Sequence, residues 1–529
     1  MHLRCRNRSR LLLLAAAMAL APGALAAQET TTLIQNGRLL DGSGNPWIFA
    51  DVLIRGDRIE AVGALGDMAA DVVIDATGLY VAPGFIDSHS HSGGGLATAE
   101  LSHAEPLLAM GLTTVFINPD GGGPVDIVAQ RASLLEHGLG LNAAQLVPHG
   151  SVRSAVMGAA DRPATRAELD RMRELVVAGM EAGAWGLSSG TYYVPGSYTP
   201  PVEIEELAKE VAPFGGAYTS HIRDESTYSV GLIGAVDEVI EVGRVARIPV
   251  VLTHVKALGP FVWGYGSAIV KRVERARAEG IQVFADQYPY TASATGLDAA
   301  LLPRWSQAGG RDSLMIRMDD AGTMGRIREG MVEGLARRGG ADRIQFRRYA
   351  PDPSIEGRLL SDVAADRGMD PIDTAIDLIR GGGVSIVSYN MHDDDVDELM
   401  AQPWTMTSSD GDLPRMGVGV PHPRSYGAFA RKIGVYARDR GVVTLEEAIR
   451  SMTSLPAMVF SMPDRGALRE GAVADIVVFD LARVRDVAEY TDPHHYSEGM
   501  VHVFVNGVAA IRDGDFTGAR PGRVLQRSR

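Results

Sequence analysis

The middle of this chain repeats one pattern eight times: a short apolar run followed, in most cases, by an amphipathic stretch of helical period. The runs are Val81–Asp87, Thr113–Asn118, Ala143–Val147, Ala184–Ser188, Gly216–Ser220, Pro249–Thr253, Gln282–Asp286 and Trp404–Ser408. Between them, stretches such as Arg166–Ala182, Val202–Ala212 and Ala268–Glu279 carry helical periodicity. Continuous apolar strands are what a parallel sheet buried on both faces requires. Eight of them, with a helix after nearly every one, predict an α/β fold: a (β/α)8 TIM barrel over residues 81–462. The connection between the seventh and eighth runs is too long for a loop. An inserted subdomain rich in Arg, Asp and Gly is therefore expected over about 304–400.

Both ends read differently. Thr32–Ile34, Asp51–Ile54, Arg58–Val62 and Val72–Asp75 are short alternating strands, and Ala474–Phe479 and Val501–Val505 match them near the other terminus. Gly56-Asp57 and Asn506-Gly507 mark hairpin turns. Residues 27–80 and 463–529 are thus expected to build a small β-sandwich from both termini.

The first 26 residues stand apart from this pattern. Arg4, Arg6, Arg8 and Arg10 precede the apolar run Leu11 to Leu20, and Ala24-Leu25-Ala26 supplies small residues for cleavage. That is the pattern of a signal peptide, and it predicts a periplasmic or secreted protein. A membrane anchor is the competing reading, but the run is short for a bilayer span of roughly 20 residues. No later segment is long and apolar enough to cross. Cys5, the single cysteine of the sequence, lies inside the signal region, so a mature chain has neither disulfides nor thiolate ligands. Cleavage removes four arginines and takes the formal charge from -14 to -18. So acidic a protein gains nothing from counterion release, which argues against nucleic acid as a partner. Oligomeric state is left open, a homo-oligomer included.

In barrels of this type the reactive groups project from the C-terminal ends of the strands. The first run ends in Asp87-Ser88-His89-Ser90-His91, and residues two apart in extended chain share a side. His89 and His91 can therefore hold one metal ion between them. His221 and His254 each stand one step past an apolar run, the fifth and the sixth. The eighth run leads into Ser408-Ser409-Asp410-Gly411, where a carboxylate can bind metal and shuttle a proton. Four imidazoles and an aspartate at one mouth make a mononuclear or binuclear hydrolytic site. Imidazole with carboxylate suits Zn2+, and Mn2+, Co2+ and Fe2+ stay compatible with it.

At these residues the chain resembles a known family. Pro83-Gly84-Phe85-Ile86-Asp87-Ser88-His89-Ser90-His91 is similar to the opening motif of the amidohydrolase superfamily, whose barrel carries a split β-sandwich. Within it, Val147-Pro148-His149-Gly150-Ser151-Val152-Arg153, Gly186-Leu187-Ser188-Ser189-Gly190-Thr191-Tyr192-Tyr193, His221-Ile222-Arg223-Asp224-Glu225, His254-Val255-Lys256, Asp286-Gln287-Tyr288-Pro289-Tyr290 and His422-Pro423-Arg424 resemble the N-acyl-D-amino-acid deacylases (D-aminoacylases). The resemblance covers nearly the whole mature length. It implies metal-dependent hydrolysis of the amide bond of N-acyl-D-amino acids, with one or two Zn2+ ions. It also implies metal ligation by His89, His91, His221, His254 and Asp410, and acid/base catalysis by Asp410. Tyr193, Lys256, Tyr288 and Arg424 would engage the substrate's carboxylate and carbonyl. For Lys256 and Arg424 a surface ion pair is the plainer alternative.

The chain departs from that family at one position. Where the family usually carries a metal-binding cysteine, counted from Gly111-Leu112-Thr113-Thr114, this sequence has Asp120. A carboxylate can bridge two metals and is a harder ligand than thiolate. Asp120 is therefore an expected ligand, with a turn role and substitution by Asn118 as the alternatives. His149 is read either as a hydrogen-bond donor near the site or as structural. Asp224 and Glu225 are read as orienting groups. His103, His137, His392, His494, His495 and His502 fit no strand-end pattern and are read as ordinary surface or packing residues. Rival activities on the same residues are an L-Xaa-D-Xaa dipeptidase, an N-acyl-L-amino-acid hydrolase or a cyclic-amide hydrolase. Cyclic-amide hydrolases of this superfamily commonly carry a carboxylated lysine, which the fourth run's Ser188-Ser189-Gly190 end lacks. A barrel that binds a small molecule without turnover is the non-enzymatic rival.

Overall fold

A computed structural model describes residues 30–66 and 68–527. The N-terminal signal pattern and Cys5 lie outside the described residues. Eight parallel positions form the barrel wall. In order they are Phe85–Asp87, Leu112–Ile117, Asn142–Gln145 with Val147–Pro148, Gly186–Gly190, Ala217–His221, Val250–Leu252, Val283–Gln287 and Thr405–Thr407. Each pairs in parallel with the next, except that Leu146 interrupts the third strand. Its first half pairs with the second strand and its second half with the fourth. The seam between first and eighth strands closes through the loops above them. Asp410 N donates to His89 O (2.9 Å) and His91 N to Gly411 O (2.8 Å). Every residue of Leu112–Ile117 is buried, as the two-sided covering of a parallel sheet demands.

Helices Arg166–Glu181, Pro201–Val211, Leu232–Ala246 and Gly266–Ala278 cover strands four to seven from outside. The first of these starts at a capping box, in which Thr165 accepts from Glu168 N while Glu168 accepts from Thr165 N. The apolar stripes of these helices and the outer faces of the strands, for example Val176, Leu207, Val236 and Val273, meet in one cluster with Leu187 and Val251.

Three boundaries differ from the sequence reading. The run Val81–Asp87 is two strands, not one. Tyr80–Pro83 belongs to the terminal sheet, antiparallel to Ile476–Phe479, and only Phe85–Asp87 belongs to the barrel. The chain changes sheets at Gly84, where a Cβ would come within 2.3 Å of the Thr113 side chain, so apolar continuity conceals the break. At the other end Val524–Leu525 leaves the terminal sheet and pairs with Asn142–Gln145 of the barrel. Last, the insertion begins at Ser293–Gly296, which pairs with Ser385–Ser388, itself paired with Ile344–Arg348. This unit has its own core of Leu297, Phe346, Leu378 and Ile386. Helix Asp393–Met400, placed in the insertion by the sequence, instead packs on Gly266–Ala278 as a barrel helix. The small residues Ser-Ala-Thr-Gly at 293–296 give no apolar alternation for a sequence reading to detect.

Nine strands from both ends form one hydrogen-bonded sheet, eight along a single path and one branching from it. In spatial order it runs Asp515–Phe516, Val508–Arg512, Met500–Val505, Ile476–Phe479, Tyr80–Pro83, Thr31–Leu39, Ile48–Arg55 and Arg58–Gly63, with Val72–Asp75 paired to Thr31–Leu39. Asn506 and Gly507 both have positive φ (49° and 80°), the geometry of a two-residue type I′ turn.

Candidate metal centre

The barrel mouth gathers its polar side chains by short-range geometry. Asp87, buried at the end of the first strand, accepts from His89 N (3.1 Å) and from Ser409 N (3.0 Å) and Oγ (2.5 Å). It thereby ties the His-x-His loop to the loop that carries Asp410. Asp120, His254 and Asp410 all take positive φ (53°, 36° and 47°). Non-glycine residues there are strained, and such strain concentrates where side-chain placement matters more than backbone ease.

The resulting cluster is tight. His89 Nε2 lies 3.4 Å from Asp120 Oδ1 and 3.5 Å from Asp410 Oδ1. His91 Nε2 lies 3.4 Å from Asp120 Oδ2 and 3.2 Å from Asp410 Oδ1. His254 Nε2 is 3.5 Å from Asp120 Oδ1, and His221 Nδ1 is 3.8 Å from its Oδ2. One ligand atom from each of His89, Asp120, His254 and Asp410 lies within 4.8 Å of the others, and the same holds for His221, Glu225 and His254. His254 belongs to both groups.

Whether these residues fit a metal is answered by their unmet valences. His89 Nε2, Asp120 Oδ1 and both ring nitrogens of His221 are buried without a hydrogen-bond partner. Buried polar atoms left unpaired are costly, and a divalent ion there would satisfy His89 Nε2, Asp120 Oδ1 and one ring nitrogen of His221. The electrostatics agree. Burial pushes the Asp120 and Asp410 carboxyls up, but cationic neighbours outweigh it and hold both well below the usual range: His89 and His254 for Asp120, Arg424 and His254 for Asp410. Burial lowers His91 and His254, yet the same two carboxylates carry them up to about 9 and about 10. His221, by contrast, is pushed down by burial.

Around the cluster sits a layer of charged partners. Glu225 Oε1 accepts from Lys256 Nζ (2.5 Å) and lies 3.2 Å from His254 Nδ1, which is itself 2.8 Å from Lys256 Nζ. These contacts occupy Nδ1 and leave Nε2 of His254 facing Asp120. Glu225 Oε2 stands 3.8 Å from His221 Nε2. Glu225, expected from the sequence as an orienting group, thus sits on the Nδ1 side of His254 and near His221, and one atom from each of the three lies within 4.8 Å of the others. The available signal was its place four residues after His221. Arg424 Nη1 donates to Asp410 Oδ2 (2.7 Å), which turns Oδ1 toward His91. Arg424 lies over the Tyr288 ring at 4.7 Å and Lys256 at 5.7 Å, so the pair is buried at the mouth and is not a surface ion pair. Tyr193 stacks edge-on to His221 at 4.6 Å and its Oη meets Thr295 Oγ1 at 3.4 Å. A cavity of about 560 Å³ opens over these groups.

Several other candidates fall outside the cluster. Asn118 exchanges amide hydrogen bonds with Gln130 and donates to Leu146 O, so it serves the second strand. His149 donates to Glu203 (3.1 Å), which also pairs with Arg153, and this is a structural network. Asp224 accepts from the backbone of Ser226, Ser229 and Gly231 and shapes the loop after the fifth strand. His422 donates from Nε2 to Ala292 O and accepts Arg424 N at Nδ1, which fixes the start of the arginine's helix.

Comparison with known proteins gives a consistent picture. A family model described as "Amidohydrolase family" matches residues 72–511. The chain is 34% identical to a D-aminoacylase of Alcaligenes xylosoxydans xylosoxydans, over 95% of this chain and 98% of that protein. It is also 34% identical to an N-acyl-D-glutamate deacylase of the same organism, over 94% and 97%. Among solved structures, an N-acyl-D-glutamate deacylase from Bordetella bronchiseptica, complexed with zinc and a phosphonate mimic of the tetrahedral intermediate, superposes with a TM-score of 0.81. It is 33% identical, over 94% of this chain and all (100%) of that one. A D-aminoacylase structure gives a TM-score of 0.80 at 32% identity, covering 94% of this chain and 99% of that one.

Proposed function

The chain belongs to the amidohydrolase family, among the D-aminoacylases and N-acyl-D-amino-acid deacylases, and from that premise we propose that it hydrolyses the amide bond of N-acyl-D-amino acids. The products are a carboxylate and a free D-amino acid. The observation that carries the reading is the meeting of Asp410, Asp120 and four imidazoles at one mouth, with Lys256 and Arg424 on the adjoining wall.

His89, His91, Asp120, His221, His254 and Asp410 would hold one or two divalent ions, with Zn2+ favoured by the imidazole-rich set. Such an ion supplies Lewis-acid polarisation of the scissile carbonyl and acidifies the attacking water. Asp410 does the proton work. Its Oδ2 is fixed by Arg424, and Oδ1 faces the cluster, free to take a proton from the attacking water and pass it to the leaving nitrogen. The Arg424 contact keeps the carboxylate ionised between turnovers. Tyr193, beside His221, stands where its hydroxyl can donate to the developing oxyanion. Lys256, Tyr288 and Arg424 form the wall that receives the α-carboxylate, and anchoring that group beside the cluster lets the configuration of the α-carbon decide which substrates fit.

Asp120 stands in this centre where relatives of this type usually carry cysteine. Its two oxygens face different imidazoles, His89 and His254 from Oδ1 and His91 and His221 from Oδ2. Both oxygens of Asp120 would thus be available to help hold an ion. Export to the periplasm or medium is proposed from the basic and apolar N-terminal residues alone. Among the described residues no helix is long and apolar enough to cross a membrane.

The proton role of Asp410 is tested with Asp410→Asn. The variant should retain metal and lose at least about a hundredfold in kcat. Near-normal turnover with metal bound would sink the scheme.

A further inference from the structure

The foot of the eighth strand, at the opposite end of the barrel from the metal centre, borders a cavity of its own, of about 270 Å³. Pro403 and Thr405 line it where strand Thr405–Thr407 begins, and the far end of that strand leads to Asp410. Helix Leu445–Met452 contributes Glu447 and Arg450. Lys432 comes from the π-helical turn Lys432–Asp439, which packs on that helix. Gly44, in the first loop of the terminal sheet, closes over the arginine so tightly that a Cβ would come within 3.0 Å of Arg450 Cδ.

Two buried groups on this cavity have no partner. Lys432 is 2% exposed, and among the described residues its ammonium meets neither a hydrogen-bond acceptor nor a carboxylate within ion-pair distance. Thr405 Oγ1 is likewise buried and unpartnered. Glu447 stands beyond ion-pair distance of the lysine, and its Oε2 closes a capping box, accepting from Thr444 N (3.1 Å) and Oγ1 (3.0 Å). Arg450 adds a second cation. Its Nη1 donates to Pro403 O (2.9 Å), and among the described residues no carboxylate lies within ion-pair distance of it. The cavity therefore sets two cations against one carboxylate. A buried ammonium without a counter-charge is costly, and Lys256, which is as deeply buried, meets Glu225. The lining narrows what could supply the missing charge. Lysine offers a compact point charge and Thr405 a hydroxyl donor, and the space admits a few non-hydrogen atoms with water. An excess of one positive charge matches an anion of single charge.

We propose that this cavity is an anion site, in which Lys432 supplies the counter-charge and Thr405 Oγ1 a hydrogen bond to a small singly charged anion, either a halide or a short carboxylate. The two share one chemistry and are separated by the choice of salt. The site stands apart from the metal centre and does not rest on the deacylase reading.

Thermal scans of zinc-loaded protein at pH 7 test the proposal, with chloride or acetate raised from about 1 to about 100 mM and ionic strength held constant by a bulky sulfonate. An anion that binds only the folded protein should raise Tm by about 1 °C for each tenfold increase beyond its Kd. The salt that acts at the lower concentration identifies the occupant. Lys432→Met should abolish the response. Thr405→Val, which keeps the shape and loses the hydroxyl, should require roughly threefold to tenfold more salt. In crystals soaked with bromide or bromoacetate, anomalous scattering should mark a position beside Lys432, which decides the matter even if a variant does not fold. A Tm indifferent to both salts overturns the proposal, as does a cavity without anomalous signal. So does a response that survives Lys432→Met, the mark of an anion bound to the zinc instead.

Discussion

Replacing Lys432 by Met should stabilise this protein, and by an amount that depends on pH. Lys432 stands where helix Arg424–Arg431 runs into the π-helical turn Lys432–Asp439, and it is 2% exposed. Its ammonium has no hydrogen-bond or ion-pair partner among the described residues and borders a cavity of about 270 Å³ that Thr405, Glu447 and Arg450 also line. Burial drags the lysine from 10.5 down to about 7, with Glu447 offsetting only part of that. A fall of that size corresponds to roughly 5 kcal/mol at most, and water in the cavity reduces it. The sign follows from linkage. The folded-state pKa is the lower one, so between pH 7 and 10.5 the unfolded chain binds more protons and stability rises with pH. The wild type should therefore gain about 2 kcal/mol from this group between pH 7 and 9. Methionine has a similar length and no charge, so Lys432→Met should add about 2 to 4 kcal/mol at pH 7 and progressively less above it. An unfolding entropy of roughly 2.1 cal/mol/K per residue over about 500 residues makes each kcal/mol worth about 1 °C. Thermal scans at fixed rate should show Tm raised by about 2 to 4 °C at pH 7, with the difference closing by pH 10. A difference that does not vary with pH, or a destabilised variant, would refute the reasoning.

Three further outcomes follow from the centre itself. Asp120→Ala removes a carboxylate that faces four imidazoles and should lower zinc affinity at least about tenfold in competition with a chromogenic chelator, whereas Asp120→Cys should keep the metal and shift preference toward softer ions. Glu225→Gln leaves the Lys256 ammonium buried beside His254 without its carboxylate, and denaturant unfolding should show a loss of about 3 to 5 kcal/mol. Adding Lys256→Met should recover part of that loss, because the cost lies in the unpaired charge. Stripping metal with a chelator should lower Tm, and added Zn2+ should restore it in proportion to the logarithm of free metal.

How much of this was legible in the sequence depends on the kind of signal each part leaves. The barrel strands were legible because burial on both faces forces continuous apolar runs, and the clustered side chains because each stands at or just past a run's end. Gly84 hides a change of sheet inside one such run, since the residues on both sides are apolar for different cores. Strand Ser293–Gly296 was missed because small polar residues at an edge carry no alternation. The orienting part of Glu225 is expected from the sequence, but its partners are legible only in the fold. Its partners Lys256 and His254 come from the next strand, and only the parallel register of Ala217–His221 with Val250–Leu252 brings them together.

D-aminoacylase activity is tested most directly by amine release from matched N-acetyl-D- and N-acetyl-L-amino acids, with L-Xaa-D-Xaa dipeptides alongside. It is run on protein stripped of metal and reloaded with Zn2+. Turnover should need the metal and be confined to the D-configured amides. Turnover of the L-series alone, or none with metal bound at the cluster, would contradict it.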